Sequence, residues 1–105
     1  MVIVDKKLCS GVLTGSNVAL YTAPSASGAK VIIKSIAIAN NSASAVPVTM
    51  KFGGIIFIPA RSIPANDVYI LSQADQIINA SELIEGLAGT TDVVSYMISG
   101  KEITI

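Results

Sequence analysis

The sequence holds 105 residues, 51% hydrophobic and 13% charged, with seven basic and seven acidic side chains, one cysteine and no histidine or tryptophan. That length sets a single domain, and a lone Cys9 without histidine excludes an internal disulfide, the usual zinc ligand sets and any Ser-His or Cys-His catalytic pair. Zero net charge with scattered cations lacks the electrostatic footprint of nucleic-acid binding, so no nucleic-acid partner is expected.

In Met1–Lys7 the cations follow the apolar residues and no long apolar core is present, so the segment does not read as a secretory signal. Residues 1–13 read as an amino-terminal strand or arm, and 14–105 as the main domain. Leu8–Leu13 and Val18–Tyr21 are rich in β-formers and flank Thr14-Gly15-Ser16-Asn17, which predicts an opening hairpin. After the small-residue loop Ala23–Gly28, Lys30–Ala39 is apolar at nearly every position and predicts a central strand.

Asn40-Asn41-Ser42-Ala43-Ser44 is a turn by composition. Val46, Val48, Met50 and Phe52 then alternate with polar positions, giving a strand with one core face and one wet face. Pro47 cannot donate to a ladder and places this strand at an edge, or its start at that residue. Gly53-Gly54 turns the chain, Ile55–Ile58 reads as a short strand closed by Pro59, and Ile63-Pro64-Ala65-Asn66-Asp67 turns it again before Val68–Ser72.

Asp75–Ala80 reads as at most one helical turn. Ser81 is placed to cap a helix from Glu82, but Gly86 and Gly89 would stop it, so Leu83–Ala88 is read as a strand. Thr90-Thr91-Asp92 is the last turn, Val94, Tyr96 and Ile98 share one strand face, and Gly100 marks a bulge or bend. The result is an all-β fold, a single antiparallel β-sandwich, jelly-roll-like or Ig-like, of about eight strands. No apolar run reaches the roughly 18 residues of a membrane span, because Lys34 and Pro59 interrupt the two longest, so no membrane partner is expected.

Little in the chain advertises chemistry. Cys9 lies near Lys7, but a single cysteine on a strand is read first as a small core residue. The nearby acid pairs, Glu82 with Glu85 and Asp67 with Asp75, flank turns and are read as solvating or turn-forming rather than as general acid and base. Asn66 and Asp67, or Asp92 with Thr90 and Thr91, supply only part of a calcium shell. No cofactor, metal or enzymatic activity is expected.

The surface is the stronger signal. A charged fraction about half the ~25% usual for soluble domains leaves little to coat a monomer. The apolar segments Lys30–Ala39 and Ile55–Ile58 would aggregate if left bare. The expected partner is therefore the chain itself, as a trimer or larger ring, with Val2, Ile3, Val4, Ile33, Ile55, Ile56 and Phe57 as interface residues and strand addition by Val2–Val4 as one contact.

The order of segments resembles the small β-sandwich structural proteins of tailed bacteriophages. The resemblance rests on Tyr21–Pro24 leading into a strand, Lys34–Asn41 ending in an Asn-rich turn, Ile58–Tyr69 before a Tyr-containing strand, and the closing Tyr96–Glu102. It implies a non-enzymatic virion component, made in the host bacterial cytoplasm, that decorates a capsid or forms part of a tail and has capsid or tail proteins as partners. The alternative is a receptor- or carbohydrate-binding head module for a host-surface glycan, with Asn40, Asn41, Asn66, Asp67 and an outward-facing Tyr69 as its binding rim.

Overall fold

The structure is a computed structural model that describes residues 2–104, apart from the side chains of Gln73 and Ala74. Eight strands follow one another: β1 (Val2–Val12), β2 (Val18–Thr22), β3 (Lys30–Asn40), β4 (Val46–Phe52), β5 (Ile55–Ile63), β6 (Val68–Asn79), β7 (Leu83–Ala88) and β8 (Val94–Thr104). They form two four-stranded antiparallel sheets ordered β1-β8-β3-β6 and β2-β7-β4-β5. Successive strands mostly cross between sheets, which is the jelly-roll form of the expected β-sandwich.

This crossing corrects the expected opening hairpin. The first two strands do not pair: β1 pairs with β8 and β2 with β7, so they lie at the same side of the sandwich in different sheets. Pro47 is the second residue of β4, which is an interior strand between β7 and β5, so the residue marks a start and not an edge. Asp75–Ala80 carries no helical turn, because β6 runs on to Asn79. Likewise β5 continues past Pro59 to Ile63. The irregularity is absorbed at Ala60, whose φ of 41° and N–H to Thr49 Oγ1 (3.1 Å) leave the proline on an edge strand where it costs no ladder bond.

The core lies between the sheets, where the alternation of each strand brings its large aliphatics together. Val31, Ile33, Ile36 and Ile38 of β3 meet Val48 and Met50 of β4, Ile84 of β7 and Ile98 of β8, all fully buried. The accessible surface, 5423 Å², is what a compact monomer of this mass shows, roughly 5,500 Å². The high apolar content is therefore not hidden by unusual burial. It reappears outside, on Val2, Ile3, Val12, Ile55, Ile70 and others.

One row of irregularities crosses the first sheet. Leu8 is an extra residue in β1, between the partners of Ser99 and Ile98 of the regular strand β8, Lys34 is one in β3, between the partners of Gly100 and Ser99, and residues 73–75 of β6 lie opposite Lys34. The bulge in β1 turns Leu8 into the core while Cys9 also packs against it. Gly100 itself is not bulged. It is small because a Cβ there would collide with the Ile32 backbone carbonyl.

Candidate interaction surfaces

The residues expected to make an interface fall into two groups. Val2, Ile3 and Val4 lie exposed on β1, the edge strand of its sheet, paired on one side with Thr104, Ile103 and Glu102. Ile55 and Ile56 follow the Gly53-Gly54 hairpin, both glycines at positive φ as a two-residue β-turn requires, and Ile55 is 73% exposed. Phe57 is half-buried, stacked on Phe52 with ring centroids 4.9 Å apart. Ile33 is a correction: it is fully buried between the sheets, since its strand face points inward and Ile32 takes the outward position.

These two groups sit at the same end of the sandwich on opposite sides. Register ties Val2 to Thr104 and Ile103 to Lys30 and thence Asn79, while Gly53 N–H reaches the carbonyl of Leu83, just past Asn79 and Glu82. β1 is the outer strand above β2, whereas β5 is the outer strand of the other sheet on the far side.

A third surface was not read from the sequence. On the outer face of the β1-β8-β3-β6 sheet, register aligns Val12, Ser95, Ala39 and Val68 in one row and Ser10, Met97, Ala37 and Ile70 in the next. These eight positions carry no charge, and Val68, Ile70, Met97 and Val12 are exposed. Further along comes a row of Lys7, Ser99, Ser35 and Ser72, then the Lys101–Asp5 ion pair at 3.4 Å, which shares its row with Ile32 and the exposed Ile77, and Lys34–Asp75 at 2.5 Å. Alternation is the signal that could have found this face. Val68 and Ile70 share one phase and Tyr69 the other, but phase alone does not say which of the two faces in.

Tyr69 shows the same inversion. It points inward, packs against the core, and is covered by the Arg61 guanidinium 4.2 Å from its ring centre, which joins β6 to β5 of the other sheet. It offers no outward platform. Asn40 is buried as well: its Nδ2 donates to the carbonyls of Ser44 (2.9 Å), Ile63 (2.9 Å) and Pro64 (3.2 Å), and its Oδ1 accepts from Ser42 N–H and Oγ–H. Asn41, Asn66 and Asp67 are exposed but occupied locally. Asn41 Nδ2 donates to Ser95 Oγ, Asn66 N–H to the Ser42 carbonyl at φ +54°, and Asp67 Oδ1 accepts from Val68 N–H. The expected rim is a self-bonded loop pair.

The acidic pairs are similarly engaged. Glu82 Oε1 accepts from Asn79 N–H at 2.6 Å and Glu85 Oε2 from Asn17 Nδ2 at 3.0 Å, while Asp75 pairs with Lys34. Burial pushes the Cys9 thiol up to about 11, so it is protonated at neutral pH. Glu102 takes a 2.6 Å hydrogen bond from Tyr21 and lies 3.3 Å from Lys6 Nζ. Tyr21 first, then Lys6, holds its carboxyl below the usual range, against an opposing effect of burial.

The chain shares the fold of a solved protein core. It superposes on the core of Drosophila NLP with a TM-score of 0.57 over 94% of this chain and 100% of that one, at 19% sequence identity. That structure bears on pentamer formation and histone binding by the Drosophila protein. No protein-family model matches the chain, and no curated protein matches it.

This likeness corrects the expectation of a tailed-phage virion component with capsid or tail partners, and with it the receptor-binding alternative. The solved core that shares the fold bears on pentamer formation and histone binding. The segments that carried the phage resemblance, Tyr21–Pro24, Lys34–Asn41 and Ile58–Tyr69, lie in strands and turns, and such features report architecture.

Proposed function

We propose that this chain is a non-catalytic building block that assembles with copies of itself. The observation that carries the reading is the exposure of Val2, Ile3, Val4, Ile55 and Ile56 on opposite sides of one end of a sandwich that has too few charges to solvate them. Two different patches at one height suit a head-to-tail contact, and such contacts close into rings when the rotation allows. A ring of three or more copies is the finer form of this reading, and the pentamer-forming core that shares the fold supports it.

Histone binding is not carried over. A strongly basic partner calls for an acidic surface, and here seven acids are balanced by seven bases, with no two acids adjacent in the chain. Size exclusion coupled to light scattering at several dilutions tests the proposal. A mass that is a fixed multiple of the chain, lowered by Ile55→Lys, is expected; a monomer at every dilution overturns it.

A further inference from the structure

We infer that the free edge of β1 pairs antiparallel with the same edge of a second copy, across a two-fold axis beside Val4. The inference rests on the self-assembly reading and adds a contact through backbone groups, where the head-to-tail contact uses apolar side chains.

Backbone direction decides which groups β1 leaves open. Leu13 N–H donates to the Val94 carbonyl, and alternation along the unbroken β8 then turns Gly100, Glu102 and Thr104 toward Lys6, Val4 and Val2. Ile3, Asp5 and Lys7 therefore aim N–H and C=O away from the sheet. Among the described residues, no side chain accepts from these three N–H groups.

The other three edges are interrupted. In β6, residues 73–75 break the ladder with Asp75 at φ 49°, Asp67 Oδ1 takes the N–H of Val68 and Glu82 Oε1 that of Asn79. In β5, Phe57 is an extra residue between the partners of Lys51 and Met50, Pro59 has no N–H, and Thr49 Oγ1 takes that of Ala60. Strand β2 is five residues long and shifts register at Leu20. Such breaks and caps keep added strands off a sheet. On β1 only the bulge at Leu8 intervenes, so Val2–Lys7 is the longest unbroken stretch, and Val2, Ile3 and Val4 are exposed along it.

A second copy meets this stretch with its own β1. The one run left on β6, Val68–Ser72, is level with Lys7–Val12 by register. Joining it to Val2–Lys7 of another copy would step successive copies by four to five residues, roughly 15 Å, and build an open filament rather than a fixed multiple. Pairing β1 with β1 closes at once.

Charge selects the register. Facing residues of an antiparallel pair share one side of the sheet, so the axis passes through a residue position. At Asp5 or Lys6 it would set like charges face to face, and at Ile3 it would pair a shorter stretch. At Val4 it sets Val4 on Val4, Ile3 on Asp5 and Val2 on Lys6, with no like-charged pair. Ile3 and the partner's Asp5 exchange both backbone bonds, and symmetry doubles these to four. Main-chain hydrogen bonds supply the affinity of such a contact, so it does not depend on a wide apolar face.

The test uses the full chain. Ile3→Pro removes an outward N–H and leaves the β8 ladder intact, so it should melt as wild type does while light scattering shows half the wild-type mass. Val4→Cys places two thiols across the axis with Cα atoms about 4.5 Å apart, within disulfide reach. It should form a covalent pair in air at least about tenfold faster than Ile55→Cys, which is more exposed but off the axis. If Ile3→Pro fails to fold, Val4→Cys decides alone. A wild type that is monomeric at every dilution overturns the self-assembly reading together with this one. An oligomer whose mass a folded Ile3→Pro leaves unchanged, or in which Val4→Cys links no faster than Ile55→Cys, overturns the β1 pairing and leaves self-assembly standing.

Discussion

Tyr21 Oη donates a 2.6 Å hydrogen bond to the Glu102 carboxylate, and through it β2 of one sheet is tied to β8 of the other. The bond bridges the two sheets, and Lys6 of β1 adds its charge from the edge strand.

Because the folded state holds Glu102 below its ordinary value of 4.5, its contribution is present above that pH and is lost as the pH falls through the lower folded value. Urea midpoints should therefore drop on acidification below about 4.5. Tyr21→Phe should cost about 1.5–3 kcal/mol at pH 7, as loss of a hydrogen bond to a charged group does. It should also flatten the acid limb; an acid limb as steep as wild type would show that another carboxylate governs it.

Asn40 should be the least replaceable polar residue of the loops. Removing its amide in Asn40→Ala strands carbonyls of Ser44, Ile63 and Pro64 in a buried site, for a loss of about 2–3 kcal/mol. Asn40→Asp should cost more, since it turns an acceptor toward three acceptors. Chemical unfolding of the two variants reads the order.

Two glycines should respond differently to the same added methyl. Gly100→Ala drives a Cβ into the Ile32 backbone, which cannot rotate away, and should cost at least about 3 kcal/mol. Gly54→Ala meets no atom within 4 Å and suffers only from its φ of +81°, about 1–2 kcal/mol. Thermal melts distinguish them.

The Cys9 thiol should react slowly in the folded protein. Raised from 9.0 to about 11, it is about 100-fold less ionised at pH 8 than an unperturbed thiol. A colorimetric thiol titration should show slow release that becomes fast in denaturant; equal rates would place the side chain in solvent.

Strand positions were largely legible because turn residues punctuate them: Gly53-Gly54, Ile63–Asp67 and Thr90–Asp92 all lie where chain reversals occur. Pairing was not, since nothing local in Leu8–Leu13 tells it to seek β8 across the length of the chain. Phase failed where apolar side chains face out. Val68 and Ile70 mimic a core stripe, which puts Tyr69 outward by phase, and Ile33 shares a phase with Ser35 while the bulge at Lys34 keeps both Ile33 and Ile36 inside. Asn40 looked like a rim residue because an asparagine in a turn gives no sign of which carbonyls will surround it.

The surplus residues Leu8, Lys34 and 73–75 lie at about one level of the sheet, beside an unbroken β8. In β3 the bulge lets Ile33 and Ile36, three apart in the chain, both face the core, so deleting Lys34 would restore plain alternation and leave Ile36 and Ile38 inside. This belt is therefore where the chain can lose a residue without rewriting its core.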